Sequence, residues 1–262
     1  MQYVDVKVHQ AIATITMDRP HVCNALNQAL MQDLQTAFSD VHQEKRVKAV
    51  ILTGAGDHFC AGIDLKALSD IADLPDAQAM DQWYSSWSQL TEVLEVLLRF
   101  PKPIVAAIDG SAAGAGLGIA LACDLMVLSN KATLSAVAVR RGLVGGATAA
   151  LLAFRYAAAI ASRMVLSGES VTAERAFELG MCGRPVEATQ IWVAANQLAT
   201  SCTEGPLESL QANKRLINES IGEQLLSQLA AGAADSAAAC TTPSAKEGIR
   251  AFVEKRAPQW PK

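Results

Sequence analysis

Two runs of small residues, each placed straight after a short apolar stretch, constrain this chain more than any other feature. Ala49-Val50-Ile51-Leu52-Thr53-Gly54 leads to His58-Phe59-Cys60-Ala61-Gly62-Ile63-Asp64-Leu65. Pro103-Ile104-Val105-Ala106-Ala107-Ile108 leads to Gly110-Ser111-Ala112-Ala113-Gly114-Ala115-Gly116-Leu117-Gly118. In both, a strand gives way to a turn and then to a helix where side chains are small or missing. Such a turn leaves backbone N–H groups unpaired, and a helix N-terminus adds partial positive charge. Two N–H groups converging on one carbonyl oxygen would form an oxyanion hole for an enolate or a tetrahedral adduct. One run alone would equally suit tight helix–strand packing. A dinucleotide loop is not indicated, because the spacing is not GxGxxG and no acidic residue closes a second strand about 20 residues later.

The bulk numbers fit that reading. The chain has 262 residues, enough for one large α/β domain or a core with a helical appendage. It is 51% hydrophobic and only 5% aromatic, so its core must be built from Ala, Leu, Val and Ile. A net charge of −4 argues against nucleic acid as a partner, while leaving room for a phosphorylated small molecule held by local Lys or Arg. Six cysteines are scattered without CxxC spacing or nearby His, the pattern of reduced cytoplasmic thiols, and no metal site is expected. The first eight residues alternate like a strand rather than a leader, and no uncharged apolar run reaches membrane-spanning length. The expected location is cytoplasmic.

Periodicity predicts a hairpin over 3–8 and 11–17, a helix over 26–43 and a buried strand over 48–53. Met80, Trp83, Trp87, Leu90, Leu94 and Leu97 recur at helical steps and predict a long helix ending before Pro101. Strands follow at 103–108 and 124–129 around a helix at about 114–122. This alternation predicts a largely parallel sheet layered with helices. Beyond about residue 146 helices take over, at 147–166, 172–179, 189–202, 206–220, 223–239 and 244–255. The Ala-rich stretch from Ala230 to Ala239 buries little per residue and calls for a partner surface.

Taken in order, the segments resemble the crotonase (enoyl-CoA hydratase/isomerase) family. The likeness is carried by Asp18-Arg19-Pro20 with Asn24-Ala25-Leu26-Asn27, Phe59 to Lys66, Pro101-Lys102-Pro103 and Asp109-Gly110. It continues through Gly114-Ala115-Gly116, Cys123-Asp124, Arg140-Arg141-Gly142-Leu143, Leu166-Ser167-Gly168, Ala173 to Ala176 and Gly180. It closes on Lys246 to Ile249 and Phe252 to Arg256. The resemblance implies an α/β fold, a spiral of ββα units over 1–190, with a helical region over 191–262 for trimerisation and closure over coenzyme A. It implies an acyl-CoA thioester as substrate, with coenzyme A entering as part of it and no separate cofactor, and a homotrimer or dimer of trimers. By position, the carbonyl oxygen would lie between the N–H groups of Ile63 and Ala115. Ala61 would line the adenine end, Lys66 would face phosphate, and Phe252 and Lys255 would close over coenzyme A from a neighbouring subunit.

The pattern breaks at the acid/base positions. Family hydratases carry two glutamates; the matching residues here are Gly118 and Ala138, and the loop Leu143-Val144-Gly145-Gly146 has no carboxylate. Proton transfer needs a titratable group within hydrogen-bond reach, so ordinary hydration is expected to be weak or absent. Three readings stay open. One is an enzyme leaning on the oxyanion hole for decarboxylation, thioester hydrolysis or C–C cleavage, with Asp81, Tyr84, Glu92 or Glu95 reaching in from the long helix. The second is a hydratase or isomerase using other residues; the third is a non-catalytic acyl-CoA binder. Plainer expectations cover the rest: Cys60 and Cys123 as structural thiols, His58 in a solvated loop, and Asp64 as a helix cap. Asp124 would satisfy backbone donors, Arg140 and Arg141 would be surface charges, and Trp83 and Trp87 would pack the helix while Tyr84 lies off its stripe.

Overall fold

The computed structural model describes residues 1–261, and at positions 220 and 221 the backbone course only. The chain opens on a hairpin of β1 (Val4–His9) and β2 (Ile12–Met17), followed by α1 (Gln28–Gln43) and β3 (Ala49–Gly54). Two helices come next, α2 (Leu65–Ala72) and α3 (Asp76–Arg99). Then come β4 (Ile104–Ile108), β5 (Ser111–Ala113), α4 (Ala115–Ala122), β6 (Leu125–Leu128) and β7 (Thr133–Ser135). The remainder is α5 (Gly146–Arg155), α6 (Ala158–Ser167), β8 (Ser170–Thr172), α7 (Ala173–Glu178), α8 (Ile191–Cys202), α9 (Leu207–Arg215), α10 (Glu223–Cys240) and α11 (Pro243–Val253).

The main sheet runs β1-β2-β3-β4-β6, antiparallel in the first pair and parallel thereafter. After each parallel strand the chain crosses into a second layer. β4 continues into β5 and β6 into β7, which pair in parallel, while the segment after β3 bridges Cys60 to Ala112. Each crossing then feeds a helix, so the ββα spiral expected from the sequence is the fold observed. Strands β3 and β4 are apolar along almost their whole length because both faces are covered. Val50, Leu52, Ile104 and Ala106 join the main core, while Ala49, Ile51, Val105 and Ala107 meet Ala195 and Ala199 of α8.

Some expectations are corrected. The helix expected over 147–166 is two helices, parted at Tyr156, whose hydroxyl donates to the Met181 carbonyl at 3.0 Å. Strands β5, β7 and β8 were not expected; at three residues each they are too short to show alternation. The surface covering the Ala-rich helix α10 is the chain's own α3 and α5. Gly232 and Gly146 meet there so closely that a Cβ on either would strike the other's backbone.

Asp124 does satisfy a backbone donor, accepting from the Ile104 N–H at 2.8 Å, but it also holds an ammonium. Lys214, at the end of α9, donates to Asp124 Oδ2 at 2.7 Å and to the Lys102 carbonyl at 3.0 Å. Asn218 donates to the Leu98 carbonyl at 3.0 Å and to Asp124 Oδ1 at 3.3 Å. Burial pushes the Lys214 ammonium below its ordinary range, and Asp124 opposes that. The C-terminal helices are thereby anchored to the sheet through buried polar groups as well as apolar contact.

Candidate functional site

A cavity of about 860 Å³ lies where the two glycine-rich turns meet. Its walls are residues 21–25 before α1, 61–66 between β3 and α2, 111–115 ahead of α4, and 135–148 between β7 and α5. Trp87 and Leu90 of α3 and Val165 and Leu166 of α6 close the apolar end, and Phe252 and Lys255 stand at the rim. Of the residues singled out from the sequence, Ala61, Ile63, Lys66, Ala115, Ala138, Phe252 and Lys255 line this cavity. Gly118 is buried one turn into α4 and does not.

The two amides are brought together by glycine. Gly62 has φ +94°, and a Cβ built there would stand 2.6 Å from the Ala113 carbonyl oxygen and 3.1 Å from the Ala115 nitrogen. Only a residue without a side chain permits that approach. Gly114, at φ 51° and ψ −121°, then turns the chain so that Ala115 becomes the first residue of α4, where an N–H has no partner within its own helix. On the other side, Leu26 N–H donates to the Gly62 carbonyl at 2.7 Å and Asp64 N–H to the Leu26 carbonyl at 2.9 Å. The amide between them, Ile63 N–H, is thus turned away from that pairing. Among the described residues, neither Ile63 N–H nor Ala115 N–H donates to any acceptor.

The frame around these amides is polar and buried. Asn24, at φ 56° and fully buried, accepts from Arg19 N–H at 2.8 Å and donates to the carbonyls of Ala55 at 2.9 Å and His58 at 2.8 Å. Ala61 N–H donates to the Cys23 carbonyl at 2.9 Å. Asp64 caps α2 as expected, accepting from Lys66 N–H at 3.2 Å, and also pairs with buried Arg19 at 3.1 Å.

Asp64 is the only carboxylate lining the cavity among the described residues, and both its oxygens are engaged. The acid/base candidates on α3 are not there. Asp81 and Tyr84 are exposed, Glu92 accepts from Gln35 at 3.3 Å, and Glu95 pairs with Arg99 at 3.0 Å. At 100° per residue the stripe that turns Trp83, Trp87, Leu90 and Leu94 inward turns those four outward. Trp83 packs as expected; Trp87 packs and also lines the cavity.

Cysteine chemistry is not supported either. Cys60 and Cys123 are fully buried; burial pushes the Cys60 thiol up to about 12 and Cys123 higher still, against the thiolate a nucleophile requires. His58 accepts the Ser111 N–H at 3.3 Å and stays outside the cavity, whereas His21 lines it.

Cations gather at the rim. Lys66 is exposed and 3.4 Å from Asp70, Lys255 adopts φ 55°, and the Arg141 guanidinium lies 4.9 Å over the Phe252 ring. Arg141 therefore belongs to the cavity rather than to the outer surface, while Arg140 donates to the Ser167 carbonyl at 3.2 Å. Phe252 and Lys255 of this chain reach the rim of its own cavity, because α11 folds back on α2 and the turn at 137–141. His21, Cys23, Arg141 and Thr148 were missed as site residues, and only the flanking motifs Asp18-Arg19-Pro20 and Arg140-Arg141-Gly142 signalled their neighbourhood.

Comparison with known proteins shows the family and the fold. A family model described as enoyl-CoA hydratase/isomerase matches residues 7–262. The 1,2-epoxyphenylacetyl-CoA isomerase of Escherichia coli strain K12 is 30% identical over 261 residues, covering 99% of this chain and 98% of its own. The crystal structure of an enoyl-CoA hydratase from Mycobacterium avium superposes at TM-score 0.85 with 28% identity, covering 100% of both chains. That of an enoyl-CoA hydratase from Bacillus anthracis gives TM-score 0.77 at 27% identity, covering 99% of each.

Proposed function

This chain belongs to the enoyl-CoA hydratase/isomerase family, and from that premise we propose that it holds an acyl-CoA thioester with its carbonyl oxygen between the N–H groups of Ile63 and Ala115. The observation that carries this reading is the pair of unused amides set side by side by Gly62. Backbone donors suit the task because they do not titrate and are held in place before charge develops. The rim cations Lys66, Arg141 and Lys255 fit the phosphates of coenzyme A. The apolar end, walled by Trp87, Leu90, Leu143 and Val165, fits an uncharged acyl group.

The same walls decide which chemistry is open. Hydration requires a base to activate water and an acid to protonate the α-carbon. The positions where relatives of the hydratase type would place them are Gly118 and Ala138, and no free carboxylate stands in for either. An enolate can instead be made by breaking a C–C bond. Loss of carbon dioxide from a β-carboxyl thioester leaves the electron pair on the α-carbon and the negative charge on the thioester oxygen, and water then returns the proton. Decarboxylation is the simplest fit, with thioester hydrolysis or C–C cleavage by water in the same class.

Crotonyl-CoA tests this directly. Wild-type hydration, followed as loss of enoyl absorbance, is expected to lie about 10²–10⁴-fold below that of a variant carrying Gly118→Glu and Ala138→Glu. A Cβ at 118 would stand 3.3 Å from Thr148 Oγ1, so that hydroxyl must give by a few tenths of an ångström, and Thr148 itself is kept. Brisk hydration by the wild type would overturn the proposal; tight binding without turnover of any β-carboxyl, β-keto or simple thioester would favour a carrier instead. The family resemblance also carries the proposal of a homotrimer or dimer of trimers, for which exposed Val139, Val144 and Leu166 offer apolar surface. Light scattering that returned a monomer at micromolar concentration would remove it.

A further inference from the structure

We propose that Thr148 is a positioning residue for the anion site, its hydroxyl gripping the one peptide unit whose N–H is the Ala115 donor; this rests on the oxyanion reading above. Thr148 is buried in the first turn of α5 and lines the cavity. Its Oγ1 donates to the Gly114 carbonyl oxygen at 2.9 Å. That carbonyl and the Ala115 N–H belong to a single planar group, so whatever holds the oxygen aims the N–H. A hydrogen bond accepted at a peptide oxygen also polarises the group and makes its N–H a stronger donor.

The need for such a grip is local. Gly114 sits at φ 51° and ψ −121° with no side chain to hinder rotation, so the plane that follows it is held by hydrogen bonds. Two bonds do this, the Thr148 hydroxyl and the Gly118 N–H reaching the same oxygen at 3.1 Å, while the plane before Gly114 is fixed by its own N–H donating to the Ser135 carbonyl at 2.8 Å. The other donor is held the same way. The Gly62 carbonyl, partner in one plane with Ile63 N–H, accepts from Leu26 N–H at 2.7 Å. One amide is thus aimed by backbone pairing alone and the other by a side chain together with one backbone bond. If Thr148 merely filled the space beside Gly118, its hydroxyl would be dispensable and valine would replace it silently.

Acetoacetyl-CoA separates these roles, because its enolate absorbs in the near ultraviolet and an anion site draws the bound molecule toward that form. Wild type, Thr148→Val and Thr148→Ser are titrated with pH in the presence of acetoacetyl-CoA, and affinity for coenzyme A alone is measured alongside. Thr148→Val is expected to lower the bound enolate-to-keto ratio about three- to tenfold, the worth of one neutral hydrogen bond. Coenzyme A affinity should stay within about twofold, and Thr148→Ser should restore the ratio. An unchanged ratio in Thr148→Val, or a serine variant that behaves like valine, overturns the inference. Should the valine variant fail to fold, Thr148→Ala makes the same comparison with the same two outcomes. A wild type that binds acetoacetyl-CoA yet draws out no enolate instead refutes the oxyanion reading, and this inference falls with it.

Discussion

Replacing Ala115 with proline should cost this enzyme about 10²–10³-fold in enolate stabilisation, or about 2.7–4 kcal/mol, the usual loss when one oxyanion donor is deleted. The substitution is suited to the question because it removes a single hydrogen atom from a position that helices tolerate well. Ala115 is the first residue of α4, where proline's fixed φ is compatible and its missing N–H breaks no helical bond. The ring Cδ takes the place of the amide hydrogen, so no donor remains on that nitrogen. Acetoacetyl-CoA enolisation and turnover of the preferred thioester should fall together, while Ala115→Ser, which keeps the N–H, should stay near wild type. A proline variant within about threefold of wild type, with its melting midpoint preserved, would show that Ala115 N–H is no donor to the reacting oxygen. The companion amide cannot be tested so cleanly, since Ile63 lies in the bridge to Leu26 and proline there would disturb pairing.

The second large effect is on stability. Lys214→Met should destabilise the fold by about 3–5 kcal/mol, because it strips the Asp124 carboxylate of the ammonium paired with it and leaves Arg155 as the remaining nearby cation. For a chain of this size that corresponds to a fall in Tm of roughly 6–20 °C at about 2–4 °C per kcal/mol. The same substitution also frees the Leu97 and Lys102 carbonyls. Pairing it with Asp124→Leu should recover part of the loss, since an apolar pair of similar volume is often as stable as a buried ion pair. Denaturant titration of the two single variants and the double variant reads the coupling. A Lys214→Met change below about 1 kcal/mol would mean that the pair is solvated and does not anchor the C-terminal helices.

The close approach of the two turns was legible in the sequence because it is made of backbone, and glycine spacing is a direct record of where backbone must come close. Gly62 and Gly114 both take a positive φ, and at Gly62 the approach to Ala113 is one that a Cβ would forbid. That positions 118 and 138 hold Gly and Ala was equally legible, since residue identity needs no fold to be read. Packing-dependent features were not. Asp81, Tyr84, Glu92 and Glu95 share a helix with the cavity wall, yet a rotation of 100° per residue puts all four on its outer faces. That this chain's own Phe252 and Lys255 reach its cavity was not legible, because the path of α11 depends on Gly248 closing against Arg141. Lys214 meets Asp124, 90 positions away in sequence, and no local pattern encodes that pairing. The chain alone thus determined the strand–turn–helix repeat, the glycines at the paired turns and the absence of the usual carboxylates, for those follow from allowed backbone angles and from residue identity. Which amides were left free, which side chains faced the cavity and what covered the alanine-rich helix were decided only when distant segments packed, because hydrogen-bond vacancy and burial are relations between segments and not properties of any one of them.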